Sequence, residues 1–252
     1  MRSLLTAVQF LTRVPVPGSA RPASSADLRR AAMFFPLVGS SIGVVTAAVV
    51  WGASQLWPIG LAAVVGLAVE ALLTGALHED AVADFFDAFG GGRRREDVLR
   101  ILKDSRIGSY GALALSLALL LRAGAITALE REVLFAALAA SAGLGRWVLL
   151  IVMALLPPPS GQSSLAREVG RQIGWREIAV GALGAAPGVG ALVFVQPFRS
   201  ALALACVALL VVFFYRYLKR RLGGATGDCL GCLCYLSQIV VLLASAIDVQ
   251  RF

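Results

Sequence analysis

Three aspartates stand at spacings of four and three residues in the segment His78-Glu79-Asp80-Ala81-Val82-Ala83-Asp84-Phe85-Phe86-Asp87. On an α-helix Asp80, Asp84 and Asp87 share a stripe roughly 60° wide. Carboxylates so close repel one another and raise one another's pKa, a conflict that a divalent cation removes. Oxygen-only ligands on one helix face suit Mg²⁺, which keeps part of its water shell and binds a substrate phosphate at the same time. The bland alternative is a solvated acidic helix end paired with nearby arginines. Phe85, Phe86 and Phe89 among the acids weigh against it. His78 is the only histidine and lies just before the stripe. It is either a general base, a hydrogen-bond donor to phosphate, or a structural residue.

Two further segments have the composition of phosphate sites. In Lys103-Asp104-Ser105-Arg106-Ile107-Gly108 a charged tetrapeptide leads into an apolar run. Lys103 and Arg106 suit phosphate oxygens, Arg being the better bidentate partner, while Asp104 and Ser105 are good helix N-caps. In Gly223-Gly224-Ala225-Thr226-Gly227-Asp228-Cys229-Leu230-Gly231 the glycines precede another apolar run. Glycines let backbone N–H groups approach an anion, and a helix N-terminus adds a favourable dipole. Asp228 is placed to complete a metal shell. No Gly-Lys-Ser/Thr follows, so this is not a Walker A loop. Cys229, Cys232 and Cys234 lack a fourth metal ligand and read as small buried helix residues, like Cys206.

The elements that must position these residues are membrane helices. Of 252 residues, 58% are hydrophobic and 15% charged, against about 25% charged in a soluble domain. No Lys, Arg, Asp or Glu occurs between Arg30 and Glu70, between Arg146 and Arg167, or between Glu177 and Arg199. A soluble enzyme, a disordered chain and a disulfide scaffold are thereby excluded. The pattern predicts one all-α, polytopic membrane domain over residues 1–252, with about seven spans: Ala31–Trp51, Ile59–Leu77, Ile107–Ala128, Val133–Leu156, Ile178–Val195, Ser200–Tyr217 and Leu230–Ile247. Residues 1–30 form an interfacial N-terminal segment without a signal-peptide cleavage site. Residues 78–106 and 216–231 form the acidic–basic segment and the glycine turn. Positive charge gathers in alternate loops, at Arg2, Arg13, Arg21, Arg29 and Arg30, at Arg93–Arg95, Arg100, Lys103 and Arg106, at Arg167, Arg171 and Arg176, and at Arg216 and Lys219–Arg221. The positive-inside rule puts these loops, and the acidic site, on the cytoplasmic face; a bacterial inner membrane is the expected setting. The formal charge of +8 is explained by those flanks, and no nucleic-acid partner is expected. Glu70 and Arg146 fall inside apolar segments, where a charge must face the bundle interior, and one reading pairs them with each other.

Together these segments resemble the cobalamin synthase (adenosylcobinamide-GDP ribazoletransferase) family. The family's His-x-Asp-Gly-x-x-Asp-x-x-Asp-Gly is similar to His78–Ala88, its Lys/Arg-Asp-Ser-Arg-x-Gly to Lys103–Gly108, and its Gly-Gly-x-Thr-Gly-Asp-x-x-Gly to Gly223–Gly231. Phe10–Pro17 and Phe35–Gly39 also resemble its N-terminal region. Ala81 and Ala88 replace family glycines, and Tyr235 and Gln238 stand where acids are common. The resemblance implies transfer of α-ribazole, or its 5′-phosphate, to adenosylcobinamide-GDP with release of GMP. It implies Mg²⁺ on Asp80, Asp84, Asp87 and Asp228, catalytic roles for His78, Asp84 and Arg106, and substrate binding by Lys103, Asp104, Ser105, Arg146, Gly223, Gly224, Thr226 and Gly227. The lipid bilayer is the expected surrounding, and self-association is left open. A CDP-alcohol phosphotransferase is the nearest rival, but its Asp-Gly-x-x-Ala-Arg segment is absent. An ion-coupled transporter would use intramembrane acids, yet the acids sit at a boundary and no internal repeat is visible.

Overall fold

The computed structural model describes residues 2–16, 24–159 and 173–248, so Arg21, Arg167 and Arg171 of the loop-charge argument lie outside the described residues. Among the described residues the chain is all helix, with no strand. The helices are α1 (Arg2–Leu11), α2 (Ser25–Ala32), α3 (Phe35–Ala53), α4 (Ile59–Thr74), α5 (Leu77–Gly91), α6 (Arg95–Ile101), α7 (Ser109–Thr127), α8 (Leu134–Leu155), α9 (Trp175–Val195), α10 (Pro197–Arg221) and α11 (Gly227–Ser245). Six of them, α3 and α7 to α11, are long and apolar enough to cross a bilayer, and α4 together with α5, which is bent away from it, makes up to a seventh crossing. Each of the seven segments expected from hydropathy has its helix, with ends moved by a few residues.

The second segment departs most. Ile59–Leu77 does not run straight through: α4 stops at Thr74, and α5 leaves it at 91°. The cause is a pair of left-handed residues, Gly75 at φ +68° and Ala76 at φ +55°. Glycine adopts this conformation freely, whereas an L-residue such as alanine is strained by roughly 1–2 kcal/mol. The N-terminal segment secures the break. The Arg13 N–H donates to the Leu73 carbonyl at 2.7 Å, and the Arg13 side chain lies where a Cβ on Gly75 would be. The acidic helix α5 is therefore not a continuation of α4 and stands apart from the six spans.

Helix α8 is the hub, buried on nearly every side. Small residues let neighbours approach it. Gly39 and Gly43 of α3 sit against the backbone carbonyls of Ala142 and Leu138, closer than any side chain would permit, the packing mode expected where lipid removes the hydrophobic drive between helices. Large apolar side chains such as Phe194 and Phe198 are 89% and 88% exposed, as a lipid-facing surface requires.

Helix α5 is pinned at its far end. Phe85 stacks on Phe214 of α10 at 5.3 Å, and Phe89 meets Tyr217 at the same separation. Two cross-chain bonds follow. Arg221 donates to the Gly92 carbonyl at 2.7 Å, and Arg95 Nε to the Leu222 carbonyl at 3.0 Å. The basic loop after α5 is thus tied to the end of α10, where the glycine turn into α11 begins.

Candidate active site

The acidic stripe forms because α5 buries one face, including His78, Glu79, Val82 and Phe85, and leaves the other open. Asp80 is exposed, while Asp84 and Asp87 are partly buried. Helix α11 lies directly against it: a Cβ on Gly231 would press on the Cβ of Ala81 at 2.6 Å. That contact requires glycine on α11 and brings Asp228, in the first turn of α11, up to the stripe. Partial burial, then the charges of Asp80, Asp228 and Asp87, push the Asp84 carboxyl up to about 6. The carboxylates of two helices therefore act on one another, as the stripe geometry anticipates.

Asp87 is already engaged. Its two oxygens accept the Gly108 N–H at 2.6 Å and the Gly111 N–H at 2.8 Å, two of the donors that the start of α7 leaves without intrahelical partners. No Lys or Arg among the described residues pairs with Asp80, Asp84 or Asp228. Among the same residues no three His, Cys, Asp or Glu groups are yet gathered closely enough to enclose a metal ion.

Two of the cavities along α5 are lined by charged residues. One, of about 260 Å³, is lined by His78, Asp80, Asp228 and Gly231 together with apolar residues of α1, α2, α3 and α8. The other, of about 400 Å³, is lined by Asp87, Asp104, Arg106 and the Gly108–Tyr110 backbone turn. Asp80 and Asp87 are separated by about 10 Å along the helix axis, with Asp84 between them. His78 is 3% exposed, and its burial, with the Arg146 and Arg122 charges behind it, holds the imidazole well below its usual range and so neutral.

Arg106 and Asp104 form a closed unit. Arg106 Nη2 and Nε donate to Asp104 at 2.6 and 2.9 Å, and the Arg106 N–H donates to the same carboxylate at 3.1 Å. The Arg106 side chain, followed by its backbone N–H, holds the Asp104 carboxyl down at about 2. Arg106 is nonetheless 87% exposed and able to exchange partners; Lys103 and Ser105 are exposed beside it. In the glycine turn, Gly223 has φ +70°. Gly224 is packed against the Pro157–Pro159 backbone, which makes it a close-approach position. Thr226 caps α11, accepting the Cys229 N–H at 3.4 Å, and Gly227 is exposed at its first turn.

Arg146 lines neither cavity. It is fully buried in α8 and donates to the Ala142 carbonyl at 3.1 Å. Nor does it bond to Glu70. The partner of Glu70 is Arg122 of α7, whose Nη2 donates to both carboxylate oxygens at 2.8 Å, while Thr46 donates to one of them at 2.9 Å. Arg122 also donates to the Gln238 side-chain oxygen at 3.1 Å, lies 4.9 Å from the Tyr235 ring centre and reaches Glu79 at 3.9 Å. It joins α4, α5 and α11. Sequence reading overlooked it although the signal was present, a lone charge in the apolar run of α7. Tyr235 and Gln238 are thus neutral partners of this arginine.

A bundle of long apolar helices, with carboxylate and guanidinium groups at cavities along α5, defines a multi-pass membrane protein. More specifically, the chain belongs to the cobalamin-5-phosphate synthase family, whose model matches residues 3–246. It is 40% identical to an adenosylcobinamide-GDP ribazoletransferase of Ralstonia nicotianae, over 96% of this chain and 93% of that one. Relatives of the same name from Leptothrix cholodnii and Azorhizobium caulinodans are 37% and 39% identical, covering 96% and 94% of this chain and 94% and 92% of theirs. No solved structure matches this chain.

Proposed function

We propose that this chain is an adenosylcobinamide-GDP ribazoletransferase. A hydroxyl of α-ribazole, or of its 5′-phosphate, attacks the phosphorus attached to cobinamide. The bond from that phosphorus to the oxygen of the GMP half breaks, and GMP leaves. The product is adenosylcobalamin or its phosphate. One observation carries the reading in a chain of this family: Asp80 from α5 and Asp228 from α11 face one cavity, and Asp84 feels both.

The residues fit a hard divalent cation, since the donors are all oxygens, the Asp80 and Asp228 charges help raise the Asp84 carboxyl, and Asp80, Asp84 and Asp228 have no basic partner among the described residues. Asp80, Asp84 and Asp228 would hold Mg²⁺, with Asp87 the least available of the four because α7 uses both its oxygens. When bound, the ion would neutralise diphosphate charge and stabilise GMP as it departs. The chain supplies the rest. Arg106, released from Asp104, and Lys103 bind phosphate oxygens. Gly223, Gly227 and the capped start of α11 offer backbone donors to an anion. Neutral His78, at the cavity wall, or a free aspartate accepts the hydroxyl proton. Arg146 acts from behind His78 rather than by touching substrate. The site faces the cytoplasm, where the basic loops lie.

Glu70 is satisfied by Arg122 and Thr46, which removes the acid that favoured an ion-coupled transporter. The test is turnover of purified protein with adenosylcobinamide-GDP and α-ribazole, with Mg²⁺ or excess chelator, scored for corrinoid product and GMP. Activity is expected only with Mg²⁺, and Asp84→Asn is expected to abolish it while the protein remains folded. Substantial turnover by that variant would defeat the assignment.

A further inference from the structure

The acidic stripe runs between two cavities of different character, and the reaction has two reactants. The cavity at the Asp87 end is lined by Asp87, Asp104, Arg106 and Ser109 as well as Ile101 and Ile107, and its exposed guanidinium suits a diphosphate. The cavity at the Asp80 end has acids and His78 at one side only. Its remaining wall is apolar, with no Ser, Thr, Asn, Gln, Lys or Arg in the lining. It also contains an aromatic wall: Phe10 of α1 and Phe35 of α3 are stacked, with ring centres 5.2 Å apart and planes 6° apart. Phe35 is buried and Phe10 is 51% exposed, and both line the cavity that Asp80 and Asp228 also line.

We propose that this cavity holds the apolar heteroaromatic base of the acceptor nucleoside, stacked on Phe10, with a sugar hydroxyl directed to the Asp80–Asp228 side. The inference rests on the ribazoletransferase reading and adds which reactant goes where. Size excludes the corrinoid, because a corrin macrocycle with its side chains is far too bulky for a cavity of about 260 Å³, at the small end for small-molecule sites. Guanine is a poor occupant, because its polar edge would have only the acids already claimed by charge neutralisation. An apolar bicyclic base loses little on leaving water and gains a stacking partner. Its hydroxyl then lies on the Asp84 side, toward the donor phosphates in the neighbouring cavity.

The experiment measures KM for each substrate, and equilibrium dialysis of α-ribazole and of GDP separately, with full-length wild type, Phe10→Ala and Phe10→Tyr. Phe10→Ala is expected to weaken α-ribazole binding and raise its KM about tenfold, the effect of losing one stacked ring. The GDP affinity and the KM for adenosylcobinamide-GDP should stay within about twofold of wild type. Phe10→Tyr keeps the ring and should restore wild-type values. If Phe10→Ala weakens GDP instead, if it changes neither ligand, or if Phe10→Tyr fails as fully as Phe10→Ala, the placement is overturned. Wild-type protein that neither binds nor turns over α-ribazole would instead defeat the functional reading on which the placement rests.

Discussion

Asp87 shares the stripe with Asp80 and Asp84 but spends both oxygens on the backbone of the next helix. Replacing it by Ala strands the Gly108 and Gly111 N–H groups, a loss of about 1–2 kcal/mol by comparison with helix caps. Asp87→Ala should lower the midpoint of thermal unfolding in detergent, while Asp87→Asn, which keeps one acceptor, should fall between it and wild type. Equal midpoints for all three would refute the capping role. Arg106 carries a second prediction at this scale. Arg106→Lys loses the two-pronged geometry, and one charge-assisted bond is worth about 1.5–3 kcal/mol. The KM for adenosylcobinamide-GDP should rise about tenfold or more, with the KM for α-ribazole unchanged. The residue types in the acidic, basic and glycine segments were legible from spacing alone. The division of labour among the aspartates was not, because a helical stripe is the same whether its acids meet a metal or a neighbouring N-terminus. Gly224 hid its packing role against Pro157–Pro159 for a similar reason: a glycine in sequence does not say whether a ligand or a backbone comes close.

The element that decides the site is the break between α4 and α5. Hydropathy carried the second span to Leu77, since Gly75 and Ala76 fit an apolar helix as well as a turn. What selects the turn is tertiary, the Arg13 side chain over Gly75 and its N–H on Leu73. Gly75→Val combines a positive φ with that contact and should destabilise the protein severely, read as loss of folded, monodisperse protein after detergent extraction. Retention of a wild-type elution profile and unfolding midpoint would contradict the account of the break. Arg122 joins α4, α5 and α11 from inside. Its single replacement, Arg122→Leu, leaves Glu70 buried without a cationic partner, at a cost of about 3–5 kcal/mol. Removing both charges, as in Arg122→Leu with Glu70→Leu, should recover much of that loss, because the penalty comes from the orphaned carboxylate. Additive losses in the unfolding midpoint would show that the two do not act as a pair.

Across the whole molecule the spans were the most legible feature, because a bilayer demands long apolar runs and this chain has them. The packing of α8 at the centre was not legible, since Ala- and Gly-rich sequence marks close approach without naming the partner helix. That the cavities face the cytoplasm is proposed from loop charge, and it has its own test. A cysteine introduced as Ser105→Cys should react with an impermeant maleimide only from the cytoplasmic side, and one introduced as Ser54→Cys, at the opposite end of α3, only from the other. The reverse pattern would invert the topology. The central claim is that α5 and α11 build one cation site. It is tested most directly by electron paramagnetic resonance of Mn²⁺, used in place of Mg²⁺, added with GDP to purified wild type, Asp84→Asn and Asp228→Asn. The account predicts bound Mn²⁺ in the wild type and its loss in both variants. Undiminished binding in Asp228→Asn would contradict it, because the ion would then belong to the acidic helix alone.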